Sequence, residues 1–380
     1  MKKKLFILVF IIASLAISSC REAYLPPAIS TPNNFLVVEG FINSGLDSTF
    51  FKLTRTKNLG DTTFEIPEMF ASVTIESKSG RKQFLASQGN GIYASGPLII
   101  NAGETYRLNI LTSSGSLYES DYVPVLQTPP IDSLTWKQDI DVYVLVSTHD
   151  ATSNTRFYRW DFDETWEYLT FYDSNIGFDY ANDSLYFLDS SKILTRCWSS
   201  ARSTDISIGA SDNLSQNIIS QFPLTKIPDG SNKISYRYSI RVKQYALSRP
   251  AFEYWQLLKK NGKDLGSIFG TQPADITGNI KCIDNPAEPV IGFVSASTVT
   301  EKRFFIKNSE LNTWTPRDYI KTTCTPIIIP LDSASFYLQQ DTSYAPAYFI
   351  SGTPTPLAIA KKICVDCTRR GGNTNKPSFW

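Results

Sequence analysis

Short runs in which apolar and polar residues alternate fill most of this chain, and they predict strands. Leu36-Val37-Val38-Glu39-Gly40-Phe41, Phe50 to Arg55, Ala71 to Ser77 and Thr105 to Thr112 follow one another, and in the last Tyr106, Leu108 and Ile110 alternate with Arg107 and Asn109. Ser79-Gly80, Gly89-Asn90-Gly91, Ala102-Gly103 and Ser114-Gly115 separate the runs with residues that tolerate positive φ. The spacing predicts an immunoglobulin-like β-sandwich over residues 34–128. Thr128-Pro129-Pro130 closes it, because two consecutive prolines interrupt a ladder and stiffen a linker.

Residues 131–380 read as a larger β-rich domain with one amphipathic helix. In Phe157 to Trp166 one face carries Tyr158, Trp160 and Phe162, with Arg159, Asp161 and Asp163 opposite; in Ser235 to Tyr245 the apolar face is Tyr236, Tyr238, Ile240 and Val242, opposite Arg237, Arg241 and Lys243. The opposite charges on the outer faces predict that these strands are neighbours, with Arg241 facing Asp161 or Asp163. Ser248 can cap a helix, Pro250 fits its first turn and Asn261-Gly262 can end it, while Ala251, Tyr254, Trp255 and Leu258 form one apolar face to lay across a sheet. Val290 to Ala296 and Arg303 to Lys307 read as further strands, and the proline-dotted stretch from Trp314 to Pro356 gives no assignable pattern. The overall class is mainly β.

The chain begins differently. Lys2-Lys3-Lys4 followed by an apolar run from Leu5 to Ile17 is a secretory signal, too short for the roughly 20 residues that span a bilayer as a helix. Its end, Ile17-Ser18-Ser19-Cys20, resembles the lipobox of bacterial lipoproteins. This implies removal of residues 1–19, lipidation of Cys20 and attachment to a membrane by acyl chains. Residues 20–33, with three prolines and no periodicity, then read as an extended tether. Arg21-Glu22 after the lipidated position argues against inner-membrane retention and points to the outer membrane, facing the cell exterior.

Charge narrows the partners. Lys+Arg number 37 against 36 Asp+Glu, so no basic excess is available to neutralise a phosphate backbone, and nucleic acid is not expected as a partner. Aromatic residues make up 13% of the chain and serve mainly to fill β cores.

Candidate chemistry is sparse. A Ser-His-Asp or Cys-His arrangement would have to use His149, the one histidine, and no nucleophile motif accompanies it. Asp161, Asp163, Glu164 and Glu167 could supply paired carboxylates for a hydrolase, or oxygen ligands for calcium without the usual glycine-containing loop; a solvated strand face is the simpler reading. Cys197, Cys282, Cys324, Cys364 and Cys367 are disulfide candidates in an exported chain, and five is odd, so one thiol is left over. Cys364-Val365-Asp366-Cys367 could instead act in redox chemistry or, with Cys282 and Cys324, hold zinc, but a structural disulfide is preferred. No catalytic residue, metal or cofactor is assigned. Phe379-Trp380 can be buried as a terminal plug.

Several stretches resemble one family of Bacteroidetes cell-envelope lipoproteins, domain of unknown function 4249. They are Leu36 to Gly40, Tyr158 to Tyr168, Tyr254-Trp255, Gly266 to Phe269, Gly278-Asn279-Ile280, Asn285 to Phe293 and the tail from Cys364 to Trp380. The resemblance implies a partner role beside a TonB-dependent outer-membrane receptor and supplies no catalytic residues. The expected function is therefore a non-enzymatic, surface-exposed lipoprotein that captures a ligand for such a receptor or covers its mouth. The alternatives are an envelope hydrolase using the strand carboxylates, or a structural or adhesive surface protein. Asp47-Ser48-Thr49, Asp61-Thr62-Thr63, Asp132-Ser133-Leu134, Asp183-Ser184-Leu185 and Asp332-Ser333-Ala334 also resemble short Bacteroidetes O-glycosylation acceptors.

Overall fold

A computed structural model describes residues 34–57, 65–152, 154–214, 216–264, 278–316, 323–352 and 355–380. The signal, Cys20, the tether, Asp61 to Thr63 and Gly266 to Phe269 lie outside the described residues. Among the described residues, no helix is long and apolar enough to cross a membrane. The protein is mainly β.

The first module contains strands β1 (Leu36–Asn43), β2 (Thr49–Arg55), β3 (Ile66–Pro67), β4 (Ser72–Ser77), β5 (Lys82–Gly89), β6 (Ile92–Ser95), β7 (Thr105–Leu111), β8 (Leu117–Ser120) and β9 (Val123–Leu126). Alternation works as the sequence predicts: Tyr106, Leu108 and Ile110 point inward from β7 and join Leu36, Val38, Phe51, Leu53 and Tyr93 in one core. Strand β5 uses its first half to pair with β4 and its second half to pair with β6, which links the sheet around the core.

Beyond Pro129-Pro130 the chain builds a two-layer sandwich. The first layer is β10 (Ile131–Gln138), β11 (Val142–His149) and the later β17; the second is β12 (Phe157–Leu169) with later strands. A hairpin, β13 (Ile176–Asp179) and β14 (Ser184–Phe187), leaves this body, and the chain returns through β15 (Arg196–Arg202), β16 (Ser207–Ala210), β17 (Ile218–Ile227) and β18 (Arg237–Leu247). Tyr158, Trp160 and Phe162 on β12 and Tyr238, Ile240 and Val242 on β18 face Leu134, Val142, Val144 and Val146 of the other layer. The predicted neighbours β12 and β18 are antiparallel partners, with Asp163 directly opposite Arg241. Tyr236 falls before β18 and is exposed, so it is not part of the apolar face.

The helix runs over Arg249–Asp264, with the Ser248 hydroxyl accepting from the Ala251 amide at 3.4 Å. It continues through Asn261-Gly262, so that pair does not end it. After it comes the short β19 (Ile280–Cys282), and the expected strand from Val290 to Ala296 is instead two short pieces, β20 (Ile291–Gly292) and β21 (Ala296–Ser297). All three pair with first-module strands: β19 with β8, β20 with β1, and β21 with both β1 and β9. A boundary at residues 128–131 therefore assigns this segment to the wrong body. With β21 in place and β9 also bonded to β7, the ladder β7-β4-β5-β6-β2-β1-β21-β9 returns to β7. The first module is a closed hydrogen-bonded circuit completed by residues from far along the chain.

The return segment needs glycine in two places. A Cβ on Gly292, whose φ is +149°, would stand 2.4 Å from the Val38 carbonyl oxygen, and one on Gly278 would stand 1.7 Å from the Gly292 oxygen. The buried Asn279 side chain fixes the neighbouring turn, accepting from the Val294 amide and donating to the Val294 carbonyl at 2.8 and 2.9 Å.

Strand β22 (Val299–Lys307) then joins β18 in the sandwich. A small third unit follows, made of β23 (Ile327–Pro330), a short helix Ala334–Gln340, β24 (Tyr344–Phe349) and β25 (Pro356–Lys361), packed against the β13–β14 hairpin. The tail after Arg370 runs back over the outer face of the sandwich, where Asn373 bridges to Trp198.

A candidate binding cleft between the two modules

The histidine, the strand carboxylates and the cysteines from Cys197 onward each have a definite place, and most are already satisfied. His149 is exposed and shares its Nδ1 with the Asp132 carboxylate at 2.8 Å, which raises its pKa. Its sequence neighbour Asp150 turns away, accepting from the Thr152 and Thr155 amides at 2.9 and 2.7 Å. The strand carboxylates do not converge. Asp161 pairs with Arg159 at 2.9 Å, Asp163 with Arg241 at 2.6 Å and Glu167 with Arg196 at 2.7 Å. Glu164 lies on the opposite, core-facing side of the strand and is bound by Lys233 and the Tyr238 hydroxyl at 2.5 and 2.7 Å. With each carboxylate held by its own cation, the set has no free acid and base flanking a common point.

The cysteines resolve into two disulfides, Cys197–Cys367 and Cys324–Cys364, with Cys282 a buried free thiol in the first core. Cys364 and Cys367 thus bond to two distant partners rather than to each other, and neither the zinc nor the redox arrangement forms. Among the described residues, no group of three or more His, Cys, Asp or Glu side chains is placed to hold a metal.

What sequence reasoning did not assemble is a cleft of about 750 Å³ where the first module, the sandwich and the helix meet. Its position follows from register. Arg159 on β12 stands directly opposite Tyr245 on β18, so both side chains leave the sheet on the same outer face. The helix begins immediately after β18 and folds back across this end of the sheet, placing Trp255 on the other side of Arg159. The guanidinium carbon lies 4.6 Å from the Tyr245 ring centre and 4.5 Å from that of Trp255, so the cation is held between two aromatic faces. Phe41 of β1 meets Tyr245 edge-on at 5.0 Å, and Tyr254 meets Phe293 of the return segment at 5.4 Å.

The rest of the lining combines apolar surface with a few charges: Val37, Ile291 and Leu258 with Glu39, Lys52 and Asp161. Burial, followed by the Glu39 charge, pushes the Tyr254 hydroxyl up to about 12, so it remains a neutral donor across the ordinary pH range. Among the described residues, the buried Arg159 Nε has no hydrogen-bond partner. Concave shape, aromatic walls and a few oriented polar groups at a domain junction are the usual attributes of a small-ligand site. Four of the stretches that carried the family resemblance contribute to it: Glu39-Gly40, Arg159 with Asp161, Tyr254-Trp255, and Ile291 to Phe293. Each motif is unremarkable alone, and only the return of residues 278–297 to β1 brings them together.

A family described as "Domain of unknown function (DUF4249)" matches residues 21–303. The match ends within β22, so the third unit and the tail lie beyond it. No curated protein matches the chain. Among solved structures, Escherichia coli alpha-2-macroglobulin activated by porcine elastase is 10% identical, covering 57% of this chain and 18% of that one, with a TM-score of 0.20. The FN1–FN3 domains of chicken CNTN1 are 11% identical, covering 56% of this chain and 62% of that one, with a TM-score of 0.17. The chain therefore spans less than two thirds of either, and at these TM-scores neither likeness bears on fold or function.

Proposed function

The chain belongs to the DUF4249 family, and we propose that it is a non-enzymatic binding protein that holds a ligand in the cleft between its two β modules. In this reading Cys20 carries a lipid anchor in the outer membrane, the body faces the cell exterior, and the ligand is delivered to a TonB-dependent receptor. The observation that carries the binding role is Arg159, fixed between Tyr245 and Trp255 with Asp161 on one end of its guanidinium and an unpartnered Nε. A cation immobilised in this way loses little freedom when a ligand docks. It suits a molecule with a flat or apolar body and a hydrogen-bond acceptor. The anchor and the receptor rest on the sequence of residues 2–22 and on the family resemblance. The hydrolase alternative is weakened by the separate ion pairs that occupy Asp161, Asp163, Glu164 and Glu167.

The test is mass spectrometry of the full-length, natively expressed protein purified from detergent-solubilised membranes, alongside Trp255→Ala. Wild type should carry a diacylglyceryl-modified Cys20, recover a stoichiometric TonB-dependent barrel and retain a small molecule under native conditions that the variant loses. Recovery of the protein alone, with no bound molecule, would overturn the reading.

A further inference from the structure

We infer that a second site, at the far end of the same outer sheet face, binds a dianionic oxyanion of the phosphate or sulfate type. Arg159 and Glu167 both project from the outer face of β12, eight residues apart, which is roughly 26 Å along a strand. At the Glu167 end the tail crosses the sheet and encloses a pocket of about 690 Å³. Four cations line it: Arg196 and Arg237 from β15 and β18, Lys307 from the end of β22 and Lys376 from the tail.

The charge balance points to the ligand. Glu167, almost fully buried, is the one acidic side chain among the described residues of the lining, and it is already used: Arg196 pairs with one oxygen at 2.7 Å and the Trp380 indole donates to the other at 3.0 Å. Arg237, Lys307 and Lys376 make no ion pair with another side chain among the described residues. Arg237 is instead stacked, 4.3 Å from the Phe305 ring centre and 5.2 Å from that of Trp380, and its Nε has no acceptor. The Trp198 indole N–H, under the same tail, also lacks one. Three cations without counter-ions, one of them a planar fork held rigid by two rings, match an oxyanion of charge −2 better than a single carboxylate. The Ser309 side chain adds a neutral polar group at the rim, whereas the Asn308 amide is turned to the Ile234 carbonyl at 2.8 Å. None of these residues lines the Arg159 cleft, so this site stands or falls independently of the first.

Calorimetric titration of the soluble body, with both disulfides intact, against inorganic phosphate at low salt tests the site, and Lys307→Ala/Lys376→Ala is the comparison. Both lysines are exposed, so the variant should keep the wild-type melting temperature without phosphate. Its phosphate affinity should fall about tenfold or more. A parallel arm measures retention on vesicles containing phosphatidic acid, whose phosphomonoester headgroup can carry two charges, against phosphatidylcholine vesicles. Retention lost in the variant would support the site and assign the phosphate to a lipid headgroup, whereas binding to free phosphate alone would assign it to a soluble ligand. Binding to neither probe, or equal binding by variant and wild type, would overturn the inference.

Discussion

The first module and the third unit are both small β bodies, but they are closed by different forces. The first surrounds a core of large side chains, among them Phe51, Leu53, Tyr93, Tyr106 and Leu108, and closes through the hydrogen bonds of β21 to β1 and β9. The third has two smaller cores: one is built on Ala347, Ala358 and Ala360 around Cys324 and Cys364, and the other holds only six buried side chains, among them Ile329, Leu338, Leu357 and Ile359. Alanine removes little apolar area from water, and this is the unit that carries the disulfides: Cys324–Cys364 within it and Cys197–Cys367 tying it to β15. Where burial is ample, backbone pairing suffices; where it is thin, a covalent bond restricts the unfolded chain.

The largest effect should come from breaking the closure of the first module. Gly292→Ala forces a Cβ against the Val38 oxygen at a φ that alanine avoids, and should cost on the order of 3 kcal/mol or more. Urea unfolding followed by hydrogen exchange should show the loss in Leu36 to Arg55; a wild-type midpoint would refute the account of the closure. Next, Cys324→Ser/Cys364→Ser reopens a loop with a sequence separation of 40, worth about 4 kcal/mol in the chain-entropy picture. Exchange protection should vanish in residues 327–361 and persist in β1 and β2, and uniform loss would remove the contrast between the two bodies.

A smaller effect probes the sandwich between them. Arg241→Glu places a carboxylate beside Asp163 and Glu301, and since all three are partly exposed the loss should be about 1 kcal/mol. Asp163→Arg added to it should restore much of the melting temperature. The smallest concerns His149, whose pKa is raised by the adjacent Asp132 carboxylate. A raised folded-state pKa means stabilisation that is fully present below about 6.5, the unfolded value, and fades as pH rises through the folded one. Melting curves of His149→Gln and wild type should therefore differ slightly at pH 5 and coincide at pH 9; a difference growing with pH would reverse the assignment.

Much of the fold was legible where periodicity is long. The alternation in β7, the pairing of β12 with β18 and the apolar helix face from Ala251 to Leu258 are all period signals over seven or more residues. The return segment was not legible, because β20 and β21 are two residues each and carry no period at all. Nor was the choice of disulfide partners, since Cys364 and Cys367 are near in sequence but close one short 3-10 helix and open the next, each bonded to a different distant cysteine. The cleft was half legible: its residues stood out as motifs, but their convergence depends on the unseen return.

That return also sets an order of events for the nascent chain. Strands β1 to β9 can collapse as they emerge, yet Ile42 must wait for Ala296, and Val125 for the same residue, before the circuit closes. Contacts of such long sequence separation are slow to form, so the first module finishes folding only after most of the sandwich has been made. A product terminated before Asn279 would expose the open edges of β1, β8 and β9, and such edges recruit other chains.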